Sequence, residues 1–352
     1  MYHQRVTLYR DLEKKLQSKV LVYTTSDRRG YESQIAQDVI DIFIDQLDKI
    51  GIVPKISLFL YTRGGDTAAA WNIVNLLRQY GDDLQVVVPH KAHSGGTLIS
   101  IGANSIIMTK QATLGPIDPS INTALNPQIP GAMPQNTFPV SVEAVKGYMA
   151  FAKEELGIKD DIALSNIMMK LSDTVHPLVL GQVYRTRAQI KMLAEKLLKN
   201  QISDADKIKN IISFLCSDSG SHDYTINRRE AKKTLGLNVL IPDDEMYRII
   251  KAIYDDISNE MGFGQPFDLK LLSQTNDGVY NIKRALVESI DGGSHYFLTE
   301  GKVSILPGPP TAMIPGLPDG FMPGLPTGQT IIQDNRTFEG WKYDEPSTVT
   351  PQ

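Results

Sequence analysis

The chain has 352 residues, of which 41% are hydrophobic and 22% charged, and its net charge is −4. Such a composition describes a globular protein long enough for one large domain or two ordinary ones. It lacks the basic footprint that nucleic acid or an anionic membrane surface requires, so no nucleic-acid partner is expected.

The single cysteine, Cys216, can form no internal disulfide and has no companion for a zinc site, which fits a reducing compartment and a small buried apolar role. The first residues run straight into a charged helical pattern with no apolar signal core. No segment approaches the roughly eighteen consecutive apolar residues of a membrane span. A cytoplasmic protein without a membrane span is the expectation.

Along the chain, residues 20–25 are short, β-branched and bounded by Ser26-Asp27, as a buried strand should be. Apolar residues Ile35, Val39, Ile42, Ile44 and Leu47 then recur at roughly helical spacing up to Gly51, a natural stop. Residues 56–61 read as the next strand. Thr67 is the expected cap of a helix that closes at Tyr80-Gly81. Residues 84–89 make a third strand, 97–103 a helix apolar on nearly all sides, and 105–108 a fourth strand. Strands alternating with helices predict parallel pairing and a layered α/β domain.

From 140 to about 199 the pattern is helical, with Pro177 starting or kinking a helix. Helical stretches at 203–215 and 244–257 follow. Residues 278–306 switch to β-like alternation around Asp291-Gly292-Gly293, which predicts a small hairpin. Beyond Pro307 the composition turns to Pro-Gly-Pro-Pro and two copies of Pro-Gly-Leu-Pro, the mark of an extended tail or a docking strip. The expected organisation is a main domain over 1–260, a β-hairpin extension over 261–306 and a Pro/Gly-rich tail over 307–352.

Two glycine turns carry the chemistry: Thr62-Arg63-Gly64-Gly65-Asp66 and Ala92-His93-Ser94-Gly95-Gly96-Thr97. Each ends an apolar run and opens a helix. Thirty residues separate Gly65 from Gly95, enough for one crossover helix and the neighbouring parallel strand, so the turns should sit side by side. A serine nucleophile needs a base to take its proton and two aligned N–H donors for the oxyanion of its tetrahedral intermediate. Backbone N–H groups at Gly65 and Gly95 are suited to that task, the more so beside a helix N-terminus. Equally, small residues at both turns can simply allow close helix–strand packing.

With these turns, Thr113-Leu114-Gly115-Pro116-Ile117-Asp118-Pro119, Arg229-Glu230-Ala231 and Leu235-Gly236-Leu237, the chain resembles the Clp protease/crotonase superfamily over about residues 20–239. Within it the similarity is greatest to the signal-peptide-peptidase-A-like group named serine dehydrogenase proteinase. The resemblance implies a layered βαβ fold with a parallel sheet, a Ser94 nucleophile and an oxyanion hole of Gly65 and Gly95. It also implies a homo-oligomer acting on peptides or unfolded proteins without ATP.

The base is less legible. The triad histidine of classical Clp proteases has no counterpart in residues 108–118. Relatives of the peptidase-A type use a lysine from a later segment, and Lys146, 52 residues after Ser94, is similar in separation. It could equally be a solvated helix lysine, and Lys153 is a weaker substitute. His222 and Asp223 are the alternative base and orienter, with Asp223 eight residues before Ala231 where a triad aspartate would stand. Asp118 is a triad candidate or a turn stabiliser. His93 should project away from Ser94 and pack, and His176 should start a helix. No metal or cofactor is expected, since no histidine has metal-ligand spacing. Two other functions fit the same turns: an idle Clp-like scaffold docking through its tail, and crotonase-like acyl-CoA chemistry without a serine nucleophile.

Overall fold

The computed structural model describes residues 1–117, 120–121, 123–129, 137–218, 223–273, 276–307 and 330–344. In chain order the first part is α1 (Tyr2–Leu16), β1 (Lys19–Thr25), α2 (Val39–Ile50), β2 (Val53–Tyr61), α3 (Thr67–Tyr80), β3 (Gly81–Val88), β4 (Lys91–Ala92), α4 (Gly95–Ile101), β5 (Ser105–Met108) and β6 (Thr113–Leu114). Then come β7 (Ser120–Ile121), β8 (Val140–Ser141), α5 (Val142–Ala150), α6 (Asp161–Thr174), α7 (Pro177–Leu198), α8 (Ala205–Ser213), β9 (Ile226–Asn227), α9 (Arg228–Lys233) and β10 (Val239–Leu240). The rest is α10 (Asp244–Glu260), α11 (Leu269–Ser273), β11 (Val279–Ser289), β12 (Gly293–Pro307) and β13 (Thr330–Asp344).

One eight-stranded sheet organises the molecule, in the order β10-β5-β3-β2-β1-β11-β12-β13. Its first five strands pair in parallel, as the β–α alternation predicts. The alternation of side chains along each strand divides the core between two faces. Leu58, Leu60, Val86 and Val88 face α2, α3 and α4, whereas Phe59, Val87 and Ile107 face α1 and α10. In α2 the buried residues Val39, Phe43, Leu47 and Ile50 lie on one helical stripe, and the helix ends at Gly51.

Four features differ from the sequence expectation. The cap of α3 is Asp66, whose carboxylate accepts the Ala69 N–H at 2.8 Å, and Thr67 is the first helical residue. Asp at this position accepts the bond in the extended backbone a cap requires, and the shorter hydroxyl is not needed. The segment before Val39 is not helical, because Ile35 is drawn into a bridge with Gly65. The hairpin of residues 279–307 continues the main sheet, β11 pairing antiparallel with β1 from Leu21↔Ser289 to Thr25↔Ala285. Finally, residues 330–344 of the expected tail form β13, paired along β12. That stretch contains no proline and is enriched in β-branched and aromatic residues (Ile331, Ile332, Thr337, Phe338, Trp341, Tyr343), a strand signal masked by the Pro/Gly-rich residues before it, which lie outside the described residues.

Pro177 opens α7 and His176 caps it, its Nδ1 3.2 Å from the Leu178 N–H. Cys216 is buried. Among the described residues, no helix is long and apolar enough to cross a membrane.

Candidate active site

The parallel strands β1, β2 and β3 deliver their loops to one edge of the sheet, and there the two glycine turns meet. Thr62 donates its N–H to Lys91 O at 3.1 Å and accepts the His93 N–H at 3.1 Å, so the turns are stitched together just before their glycines. The Thr62 hydroxyl also accepts the Gly64 N–H at 3.0 Å, and lies 2.9 Å from the Thr25 hydroxyl.

Gly64 and Gly65 have φ of 108° and 144°, values open to glycine and strained for other residues. Space excludes a side chain as well. A methyl on Gly64 would stand 2.6 Å from Ser94 Cβ, and one on Gly65 would stand 2.3 Å from Ile35 O. On its outer side the turn is clasped by the backbone of residue 35: Ile35 N–H donates to Gly64 O and Ile35 O accepts the Asp66 N–H, both at 2.8 Å. Gly64 O and the Gly65 N–H belong to one trans peptide and point opposite ways, so this clasp leaves the Gly65 N–H directed away from Ile35, toward the second turn. There Gly95 lies so close that a methyl on it would be 3.4 Å from Gly65 N.

Ser94 occupies the N-cap position of α4 with φ 49° and ψ −113°. This conformation costs an L-residue of order 1–3 kcal/mol and is typical of residues held for a function. The helix behind it is buried at every position, which supplies the packing that enforces the strain. Among the described residues, the Ser94 hydroxyl and the N–H groups of Gly65 and Gly95 make no hydrogen bond. The serine side chain, two free donors and a helix N-terminus therefore share one half-buried space. Thr97 fixes the far side: its hydroxyl lies 2.9 Å from Ala92 O and 2.8 Å from Gly115 O, and accepts the Gly115 N–H at 3.0 Å.

His93 packs over Gly115 and places Nε2 2.9 Å from the Thr113 hydroxyl. Burial first, and then the Lys91 ammonium, push its pKa down to about 4, so the ring is neutral at ordinary pH. It is held away from Ser94, as its place in the sequence implied. Lys146 lies on α5 with an exposed side chain, and Lys153 is also exposed. Asp223 is exposed in the loop before β9. His222 and Asp118 lie outside the described residues. No three His, Cys, Asp or Glu side chains come together as a metal site among the described residues.

One cluster at this edge escaped sequence reasoning. Asp27 accepts from Lys91 Nζ at 2.5 Å and from the Tyr61 hydroxyl at 2.9 Å, and pairs with Arg63 Nη1 at 3.3 Å. Burial pushes the Asp27 carboxyl up, but these partners outweigh it and hold the group below its usual range. Because Lys91 and Arg63 stand just before Ser94 and Gly64, Asp27 ties the approaches of both turns to the loop after β1. In the sequence, Ser26-Asp27 read only as the end of a strand.

Residues 3–139 match the family described as ClpP-like SDH-type serine proteinase. The matched stretch contains both glycine turns and Ser94, and ends before Lys146 and Asp223. Two uncharacterized proteins of Methanocaldococcus jannaschii are similar: MJ0137, 33% identical over 196 residues, and MJ1495, 31% identical over 184. The matches cover 55% and 52% of this chain and 57% and 51% of those proteins, so the chain spans about half the length of each relative. Among solved structures, a mutant of the 1510-N membrane-bound stomatin-specific protease is similar over 70% of this chain and 86% of its own, at 17% identity and a TM-score of 0.37. ClpP1 from Listeria monocytogenes is similar over 66% of this chain and 98% of its own, at 13% identity and a TM-score of 0.34.

Proposed function

We propose that this chain is a serine peptidase that works through an acyl-enzyme on Ser94. The observation that carries the reading is the convergence of the two turns: a strained serine at a helix N-terminus faces two undonated backbone N–H groups, those of Gly65 and Gly95. In the proposed cycle Ser94 Oγ attacks the peptide carbonyl carbon and loses its proton to a base. The carbonyl oxygen becomes an oxyanion held by the two N–H groups, and the amine leaves with a proton returned by that base. Water then repeats the sequence on the ester and frees Ser94.

Lys146 is the proposed base, with His222 and Asp223 as the alternative. The β7–β8 pairing supports it, since Ile121↔Val140 brings the start of α5 back beside the segment that follows Gly115. A lysine acts as a base only when neutral, and covering an exposed ammonium favours that form. A homo-oligomer that covers α5 and α6 would provide such cover. Among the residues of α6 none is buried, and Ile162 and Met169 are 73% and 64% exposed. The proposed substrates are short or unfolded peptides, cleaved without ATP in the cytoplasm.

Hydrolysis of an unstructured peptide, followed with and without ATP, tests the reading. The expected result is ATP-independent cleavage lost in Ser94→Ala and in Lys146→Ala. Cleavage surviving Ser94→Ala would point to crotonase-like use of the paired donors. An inert wild type that still assembles would point to a scaffold.

A further inference from the structure

We infer that the C-terminal strand β13 braces the oxyanion turn, with Glu339 and Trp341 as positioning residues that act through Ile35. The inference rests on the peptidase reading above and deepens it.

Residues 26–38, between β1 and α2, form a loop without a regular helix or strand, exposed in part but with Ser26, Tyr31 and Ile35 buried, and this loop supplies Ile35, the clasp of Gly64 and Gly65. Besides the buried Ile35 side chain and hydrogen bonds within the loop, such as Ser33 N–H to Ser26 O, what fixes it comes from far along the chain. Arg284 of β11 donates through Nη2 to Glu32 O at 2.8 Å, and through Nη1 to Glu339 of β13 at 2.9 Å. Trp341 of β13 donates its indole N–H to the Asp38 carboxylate at 2.9 Å, with its ring edge-on to Phe297 at 5.6 Å. The loop is therefore gripped at Glu32 and at Asp38, and Ile35 lies midway between the two grips. Tyr31, just before them, lies 3.1 Å by its hydroxyl from that of Tyr280, which donates to Asp334 of β13 at 2.6 Å.

The loop has somewhere to go if released. A cavity of about 360 Å³ separates it from the meander of β11, β12 and β13, with Gln34, Ala36 and Arg284 in its walls. A shift of Gln34 and Ala36 into that space would draw the Ile35 backbone off the turn and remove both hydrogen bonds that orient the Gly65 peptide. A donor that must reorganise during the reaction stabilises an oxyanion less than one already aimed.

The test uses the full chain with Trp341→Phe, Glu339→Gln and the double variant, each close to the original in size. Three quantities are read: the rate of Ser94 phosphonylation by a fluorophosphonate, kcat and KM on a peptide ester, and amide exchange at Ile35 and Asp66. Each single change should slow acylation and lower kcat about tenfold, a fraction of the 10²–10³ lost with a whole oxyanion donor. KM should change by less than about twofold, since a positioning role acts on the transition state. Exchange at Ile35 and Asp66 should rise with little change in melting temperature. Unchanged acylation and exchange in the double variant would overturn the brace. If the double variant melts early, exchange at Ile35 in the single variants decides, and unchanged exchange overturns it. A wild type that is never labelled at Ser94 defeats the peptidase reading, while the exchange measurement still judges the brace.

Discussion

Replacing Gly65 by alanine should separate the oxyanion turn from the rest of the fold. The added methyl would lie 2.3 Å from Ile35 O and 2.5 Å from Ile35 N, both backbone atoms that no rotamer change can move. At φ 144° the alanine is also strained, by about 1–3 kcal/mol. Relief requires Ile35 to withdraw, breaking its two 2.8 Å hydrogen bonds to the turn at about 1 kcal/mol each. The sum is about 3–5 kcal/mol, read as a lower urea midpoint at unchanged slope. Acylation of Ser94 should fall about 10²–10³-fold, because the Gly65 N–H is no longer aimed. Gly95→Ala is the control. Its methyl would meet nothing closer than 3.4 Å, and it sits at the first position of α4, so stability should hold within about 1 kcal/mol. Equal behaviour of the two variants would refute the geometry of the turn.

Ser94→Gly should abolish acylation yet stabilise the fold by about 1 kcal/mol, since glycine relieves the strain at φ 49° against its own greater unfolded entropy; a thermal melt beside Ser94→Ala checks this. Arg5 is fully buried, with Nη2 2.6 Å from Glu288 Oε1, so Arg5→Met should cost about 3–5 kcal/mol by stranding a carboxylate that is 1% exposed. Acid should destabilise the protein in two stages. Burial depresses the His93 pKa to about 4, so its contribution of about 3 kcal/mol is present above the ordinary value of 6.5 and lost as pH falls through 4. Burial alone would raise Glu260, but Arg5 and Lys283 bring it down from 4.5 to about 2; its similar contribution of about 3 kcal/mol is present above 4.5 and lost through 2. Urea titrations across this range should show the upper stage vanish in His93→Gln.

The strands, the crossover helices and both glycine turns were legible because each follows from local pattern: buried β-branched runs, one-sided helices, and glycines where a strand hands over to a helix. Position 94 could also be singled out, since a serine between two such features has little packing reason to be there. Contacts without local signal were not legible. Ile35 read as the first residue of a helical stripe, yet its backbone is the clasp of the first turn, a role independent of its side chain. Asp27 looked like a strand terminator, and its partners Lys91 and Arg63 lie on other loops. The strand Thr330–Asp344 was hidden by averaging its composition with the prolines before it. The base was obscure for a related reason: Lys146, the proposed base, belongs to an exposed helix, and no local pattern specifies what would cover it in the proposed oligomer.

The most direct measurement of the central claim is mass spectrometry of the intact chain and its peptides after incubation with a fluorophosphonate at neutral and alkaline pH. The account predicts one adduct, located on Ser94, absent in Ser94→Ala and strongly slowed in Gly65→Ala. No adduct at any pH, or an adduct on another serine that persists in Ser94→Ala, would contradict it.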